Sequence, residues 1–281
     1  MDTTHTQILQ ELFKKYSGKS PDQIDPLVGA GSNRRYYRLV SGTESYIGVV
    51  GEDQEENMAF LYLSDQFRKH GFNVPEVFVQ SDIDRAYLQE DLGDVTLFDL
   101  LLKEQDRDRM AEATASLYRQ SLLALIEFQV EASKSLDYSR CYPRREFDRQ
   151  SMQWDLNYFK YYHLKPAGVV FNEQRLETDF GVLMDFLLEA PSNYFMYRDF
   201  QARNIMIRSN EPWFIDFQGG RKGPLQYDVA SLLFQARADL PPAFREKMLQ
   251  FYMEELGKRV EFDREEFVKY YYGFVLLRTL Q

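Results

Sequence analysis

The sequence predicts an α+β fold in which a small antiparallel β region, up to about residue 91, gives way to a larger and mostly helical region. Three observations predict it. Before residue 91, short runs rich in β-branched and aromatic residues alternate with turn-forming glycine, serine and asparagine. After residue 95, apolar residues recur at helical spacing. Near residue 200 a further pair of short runs, carrying two aspartates and an asparagine, interrupts the helices.

Taken in order, Ile8, Leu9, Leu12 and Phe13 predict an amphipathic opening helix that ends near Gly18. Runs at 27–30 and 36–40 flank Gly31-Ser32-Asn33, and Ser41-Gly42-Thr43 leads into 46–50, which gives an antiparallel meander. From Gln54 the period turns helical, with Met58, Phe60, Leu61, Leu63 and Phe67 on one face and a stop at His70-Gly71. Glu55 and Glu56 lie in its first turn, where carboxylates suit the helix dipole; they are also candidates for an internal carboxylate. Val74-Pro75-Glu76-Val77 and Ala86-Tyr87-Leu88-Gln89 open two more strands. The polar, glycine-bearing break Gln89-Glu90-Asp91-Leu92-Gly93-Asp94 is the predicted hinge, dividing the chain into 1–91 and 92–281. Helices are expected at 97–102, 115–130, 183–188 and 229–236, with a basic, Pro143-containing loop at 140–149. Trp154, Tyr158, Tyr161 and Tyr162 fall on one side of another helix, a spacing more typical of a packing seam than of a sugar-stacking face.

Composition narrows the function classes. The 44 acidic against 34 basic side chains give a net charge of −10, which argues against nucleic acid as a partner. One cysteine, Cys141, excludes an internal disulfide and a thiolate metal cluster. No apolar run approaches the roughly 18 residues of a membrane span. The first ten residues are polar, without a basic stretch followed by an apolar one, so residence in the cytoplasm is the expectation. His5, His70 and His163 are remote from every carboxylate cluster in sequence.

The chemistry is concentrated in residues 195–217. Asp199 is followed five positions later by Asn204 and twelve further on by Asp216. The runs 204–208 and 213–217 are separated by Ser209-Asn210-Glu211-Pro212, so the segment is expected to form a hairpin whose ends meet. Asn204 enters the first strand and Asp216 leaves the second, so both can reach one point. A carboxylate and an amide converging there can hold a hard divalent cation through oxygen while a second carboxylate stays available.

With Tyr197-Arg198-Asp199, Asn204 and Asp216-Phe217-Gln218, this segment resembles the catalytic centre of protein-kinase-like enzymes, whose H-R-D-x-x-x-x-N loop and D-F-G supply a base and two metal ligands. Tyr for His and Gln for Gly are departures that occur in the aminoglycoside phosphotransferase and choline kinase branch. The longer run from Asp216-Phe217-Gln218-Gly219-Gly220 through Tyr227-Asp228 to Leu232-Leu233 is most similar to bacterial anomeric kinases of N-acetylmuramate and N-acetylglucosamine. The resemblance implies a two-lobed, protein-kinase-like fold that uses ATP and Mg2+ to phosphorylate a small-molecule sugar, with no membrane or nucleic-acid partner. It implies that Asp199 is the base, that Asn204 and Asp216 hold the metal, and that Gly31, Ser32 and Asn33 lie over the nucleotide phosphates. Backbone groups of Glu90 and Leu92 would then face the adenine. Arg198, Arg203, Gln218 and Asp228 would serve the substrate or support the loop, Asp228 either by capping the helix that follows or by anchoring Arg198 from behind.

One departure matters more. Protein kinases carry a lysine on the third strand that contacts the α- and β-phosphates, yet Ser45-Tyr46-Ile47-Gly48-Val49-Val50 has no basic residue. Arg34 and Arg38, in the run Arg34-Arg35-Tyr36-Tyr37-Arg38, are the candidate replacements. Three other readings stay open: a kinase of aminoglycosides or other small alcohols, a catalytically silent kinase-like module, and a metal-dependent hydrolase. The run 267–281 ends without a helix stop signal, and members of the anomeric kinase family continue past it, so the chain is expected to be the N-terminal part of a longer protein.

Overall fold

The computed structural model describes residues 3–27, 34–82, 85–104 and 110–281. Helix α1 (Thr3–Ser17) packs across the first sheet, burying Leu9, Leu12 and Phe13 against Tyr37, Leu39 and Leu88. That sheet has five antiparallel strands, β1 (Gln23–Leu27), β2 (Arg35–Ser41), β3 (Glu44–Val50), β4 (Val77–Gln80) and β5 (Ala86–Glu90), in the spatial order β1-β2-β3-β5-β4. The meander is as the turn residues predict, although β1 begins at Gln23 rather than Leu27. Gly48 is required in β3, because a Cβ there would stand 2.7 Å from a Leu39 methyl and 2.8 Å from one of Leu9.

Helix α2 (Gln54–Lys69) lies beneath the other face of the sheet, its first turn capped by Asp53, which accepts from the Glu56 N–H at 3.1 Å. Phe60, Leu63 and Phe67 form its buried stripe; Met58, expected on that stripe, is exposed instead. The remainder is helical: α3 (Leu97–Leu102), α4 (Glu112–Ile126), α5 (Arg149–Phe159), α6 (Glu173–Leu188), α7 (Leu225–Leu233), α8 (Pro242–Leu256) and α9 (Arg264–Leu280). Five-residue π-turns at Glu127–Glu131 and Lys160–Leu164 extend α4 and α5. The helix predicted at 229–236 starts earlier and ends sooner, because Pro224 stands at its N-cap and fixes the extended entry.

Two short ribbons are set into the helices. One pairs β6 (Tyr194–Met196) with β9 (Arg221–Gly223), a pairing not foreseen from the sequence because strands of three residues carry no period. The other is the expected hairpin, β7 (Ile205–Arg208) with β8 (Glu211–Phe214). Its turn is only Ser209-Asn210, both left-handed at φ 51° and 62°, so Glu211 and Pro212 belong to the strand. Proline is tolerated in a two-stranded ribbon because one side of the strand needs no ladder hydrogen bond.

Aromatic rings join the two lobes. Phe217 stacks on Phe60 of α2 at 5.0 Å and meets Phe67 edge-on at 5.2 Å, while Phe60 stacks in turn on Tyr87 of β5 at 4.8 Å. The loop that follows β5 is tied down by Arg38 of β2, whose guanidinium donates to Asp91 at 2.7 and 3.1 Å and to Asp94 at 2.8 and 3.2 Å. No described helix is long and apolar enough to cross a membrane.

Candidate active site

The β6–β9 ribbon pins both ends of the segment that matters, Met196 pairing with Arg221. Immediately after β6 the backbone N–H groups of Tyr197 and Arg198 donate to the fully buried Asp228 at 2.7 and 2.9 Å. Burial pushes the Asp228 carboxyl up to about 7, and those two N–H bonds with the Gln129 amide only partly oppose it. Asp228 therefore supports the loop from behind through its backbone. It does not cap α7, since no side chain caps that helix.

Arg198 has the left-handed φ of 82°, unfavourable for a side chain with a Cβ and so held in place by its surroundings. Its guanidinium forks onto Asp155 of α5 at 2.6 and 2.8 Å, contacts the Tyr227 hydroxyl, and lies 5.3 Å from the rings of both Phe147 and Tyr227. Gly219 and Gly220 close in from the other side. A Cβ at Gly220 would stand 2.3 Å from the Phe195 ring, and one at Gly219 would press on the Arg198 side chain at 3.3 Å.

Asp199, Asn204 and Asp216 converge. Asn204 Nδ2 donates to the Asp199 carbonyl at 2.9 Å and to Asp216 Oδ2 at 2.9 Å, and the Ile215 N–H donates to the Asn204 carbonyl at 3.1 Å. Gln218 Nε2 donates to Asp216 Oδ1 at 2.7 Å. Burial and the neighbouring Asp199 charge raise the Asp216 carboxyl above its ordinary range, with Gln218, Arg34 and Arg203 acting against them. Asp216 also has a left-handed φ, 68°, at the turn after β8. Because Asn204 commits its amide nitrogen to the loop, its amide oxygen is the atom it offers a cation. One carboxylate and one amide oxygen suit a hard divalent ion that completes its shell with phosphate and water. Among the described residues no group of three His, Cys, Asp or Glu side chains could hold a metal by itself.

The three residues separate two cavities. A cleft of about 490 Å³ between the lobes is walled by Ile47, Tyr87, Leu92 and Met206 and contains Asn204 and Asp216. A wider pocket of about 960 Å³ opens on the helical side and contains Asp199 with Arg198. Arg203 lines both.

Of the residues expected on the nucleotide side, Gly31, Ser32 and Asn33 lie outside the described residues. Glu90 and Leu92 line the cleft, and the Glu90 N–H is already bonded to the Glu76 carbonyl at 2.8 Å. Arg34 and Arg38 line it too, but they differ. The Arg38 fork is committed to Asp91 and Asp94, whereas Arg34 is 2% exposed beside Glu56 and Phe60. In the wider pocket, Asp155, Arg221, Arg245 and Arg278 are functional candidates that no sequence motif marks. Arg221 is 5% exposed, and burial together with the Arg198 charge lowers it to about 10. The aromatic row is not a packing seam: Trp154 and Tyr158 line the pocket rim at 45% and 52% exposure, and Tyr162, 71% exposed, stacks on Tyr158 at 4.5 Å.

The chain is similar to known phosphotransferases. The chain is 28% identical over 208 residues to an N-acetylmuramate/N-acetylglucosamine kinase of Neisseria meningitidis serogroup B; the match takes in 72% of this chain and 58% of that relative's length. An amicoumacin kinase solved with AMP-PNP and Ca2+ superposes with a TM-score of 0.70 at 16% identity, covering 100% of this chain and 84% of its own. The gentamicin complex of APH(2″)-IIa superposes at 0.66, also at 16% identity, covering 100% of this chain and 98% of its own. Residues 23–264 match the pattern that defines the phosphotransferase enzyme family, and the chain belongs to that family.

Proposed function

We propose that the protein transfers the γ-phosphoryl group of ATP, with Mg2+, to the anomeric hydroxyl of an N-acetylated amino sugar. The observation that carries the reading is the placement of Asp199 in the wider pocket while Asn204 and Asp216 face the inter-lobe cleft, only a shared asparagine amide apart. A nucleotide in the cleft would direct its terminal phosphate toward an acceptor in the pocket. Asp199 would accept a hydrogen bond from the attacking hydroxyl, orient it and take its proton as the new P–O bond forms and the bond to the β-phosphate oxygen breaks. Asn204 and Asp216 are the residues that would hold the cation, which when bound neutralises charge on the phosphates. Arg203, lining both cavities, is placed to meet the transferring group from the side.

The acceptor pocket favours an acidic sugar over a cationic one. In a chain of net charge −10 it is lined by five arginines, Arg198, Arg203, Arg221, Arg245 and Arg278, against three aspartates. A polycationic aminoglycoside would meet that field unfavourably, whereas the lactyl carboxylate of N-acetylmuramate would be attracted. The relative named for both sugars supports the same class.

The test is a panel of N-acetylmuramate, N-acetylglucosamine, aminoglycosides and choline with ATP and Mg2+, run on wild type, Asp199→Ala and Asp216→Ala. The expected result is turnover of an amino sugar. Asp199→Ala should lose roughly 10²–10⁴-fold in kcat yet still bind nucleotide, and Asp216→Ala should also lose cation-dependent nucleotide binding. Turnover by Asp199→Ala at the wild-type rate would end the base assignment. A silent module would bind no nucleotide, and a hydrolase would release phosphate without an acceptor.

A further inference from the structure

On the side of β3 that meets Phe60 and Tyr87 stand Ile47, which lines the cleft, and Val49; both are buried and apolar. No strand cation can come from there. Among the described residues, three basic side chains line the cleft: Arg34, Arg38 and Arg203. The Arg38 guanidinium is forked onto Asp91 and Asp94 after β5, and Arg203 lines the wider pocket as well as the cleft, beside Asn204 and away from β3.

Arg34 occupies a different position. It immediately precedes β2, diagonal to Val49 across the Arg35–Val50 and Tyr36–Val49 pairs. Its Nη2 donates to the Glu56 carbonyl at 3.0 Å, its Nη1 reaches the Tyr87 hydroxyl at 3.4 Å, and its Nε is 3.6 Å from Glu56 Oε1. The guanidinium lies 5.3 Å from the Phe60 ring and is near enough to the Asp216 carboxyl to favour its charged form. A guanidinium withdrawn this far from water costs solvation that a partner of opposite charge must offset. Here Glu56 stands at ion-pair distance, Tyr36 and Tyr87 lie beside the guanidinium, and the cleft it lines also holds Asp216.

We infer that Arg34, oriented by Glu56, binds the α- and β-phosphates of the nucleotide, so that the cation absent from β3 is delivered from the start of β2. The inference rests on the nucleotide reading of the cleft. In this arrangement Glu56 acts as a positioning residue from the first turn of α2, and the guanidinium fork replaces the point charge of an ammonium with a planar pair of donors.

Calorimetric titration of ATP, ADP and adenosine into wild type, Arg34→Met, Arg34→Lys and Glu56→Gln, with Mg2+ present, tests it. For Arg34→Met, ATP and ADP affinity should fall roughly 10- to 100-fold, as for a lost charge-assisted contact, while adenosine binding stays within about twofold of wild type. Arg34→Lys should recover part of the loss. A role confined to packing would weaken adenosine together with ATP, or neither, and either result overturns the inference. Should Arg34→Met fail to fold, Glu56→Gln decides alone, since its side chain is 24% exposed and its expected signature is the same selective loss of phosphate-bearing ligands. A wild-type protein that binds neither ATP nor adenosine would instead remove the nucleotide reading itself.

Discussion

The pair between Arg198 and Asp155 gives the sharpest quantitative prediction, because it couples stability to catalysis at one point. The two side chains are 14% and 6% exposed and share two hydrogen bonds. Removing one member of a buried pair leaves an uncompensated charge, at a cost of about 3–5 kcal/mol. Here the remaining hydroxyl and ring partners and the open pocket let Arg198 recover part of that, so Asp155→Ala should destabilise by about 2–4 kcal/mol. For a chain of this size that is a fall in Tm of roughly 5–15 °C, read by differential scanning calorimetry. Arg198 immediately precedes Asp199 and is held in a left-handed conformation, so loosening its side chain should displace the proposed base. The kcat should drop about 10- to 100-fold, while KM for ATP stays near wild type because Asp216 keeps its own bonds to Asn204 and Gln218. As a control, Asp185→Ala breaks an ion pair with Arg149 whose members are 71% and 49% exposed, and it should shift Tm by no more than a few degrees. An Asp155→Ala variant that melts with wild type, or one whose kcat and KM for ATP change in parallel, would refute the reasoning.

Other perturbations address other parts of the site. Asp228 is raised to about 7 from an ordinary 3.8, so the folded protein holds a proton that the unfolded chain has released; its contribution to stability is full below 3.8, declines through the window up to 7, and is gone above it. Urea denaturation between pH 4 and pH 8 should show this as a loss of up to about 1.4 kcal/mol per unit within that window, and Asp228→Asn should flatten the slope; an unchanged slope would show that the group does not titrate there. Trp154→Ala and Tyr158→Ala should each raise KM for the sugar roughly 2- to 10-fold through lost ring contact while altering stability by less than about 0.5 kcal/mol, measured by steady-state kinetics and melting. Arg221→Ala should weaken an acidic acceptor more than a neutral one, and equal effects on N-acetylmuramate and N-acetylglucosamine would show that the arginine cluster does not read the acid group.

The sequence carried most of the architecture because the architecture is periodic. Turn residues between β-branched runs marked the five-stranded sheet, and the 97–102 helix is as predicted, fixed by the capping box of Thr96 and Asp99. The meeting of Asn204 and Asp216 was legible since a hairpin brings its ends together, although the two-residue turn sets a different register from the one the runs suggest. Asp155 was not: it sits on a helix 43 residues upstream of Arg198, and nothing local distinguishes it from a solvated aspartate. Arg221, Arg245 and Arg278 escaped for the same reason, being gathered from β9, α8 and α9 only by tertiary packing. The aromatic row was misjudged because spacing shows which side chains share a face, not whether another element covers it; Tyr162 is 71% exposed.

The ring of Phe217 belongs at once to the turn that carries Asp216 and to the row of rings in which it stands between Phe67, met edge-on, and the stacked pair Phe60 and Tyr87. Spreading the lobes would therefore reach the carboxylate proposed to hold the cation: parting Phe60 from Phe217 would pull on the backbone next to Asp216. On the proposed reading, nucleotide entry and the readiness of the phosphate-binding residues would thus be geared to one another, and a substitution that thins this ring, such as Phe217→Leu, would let the jaws gape while the chemistry idles.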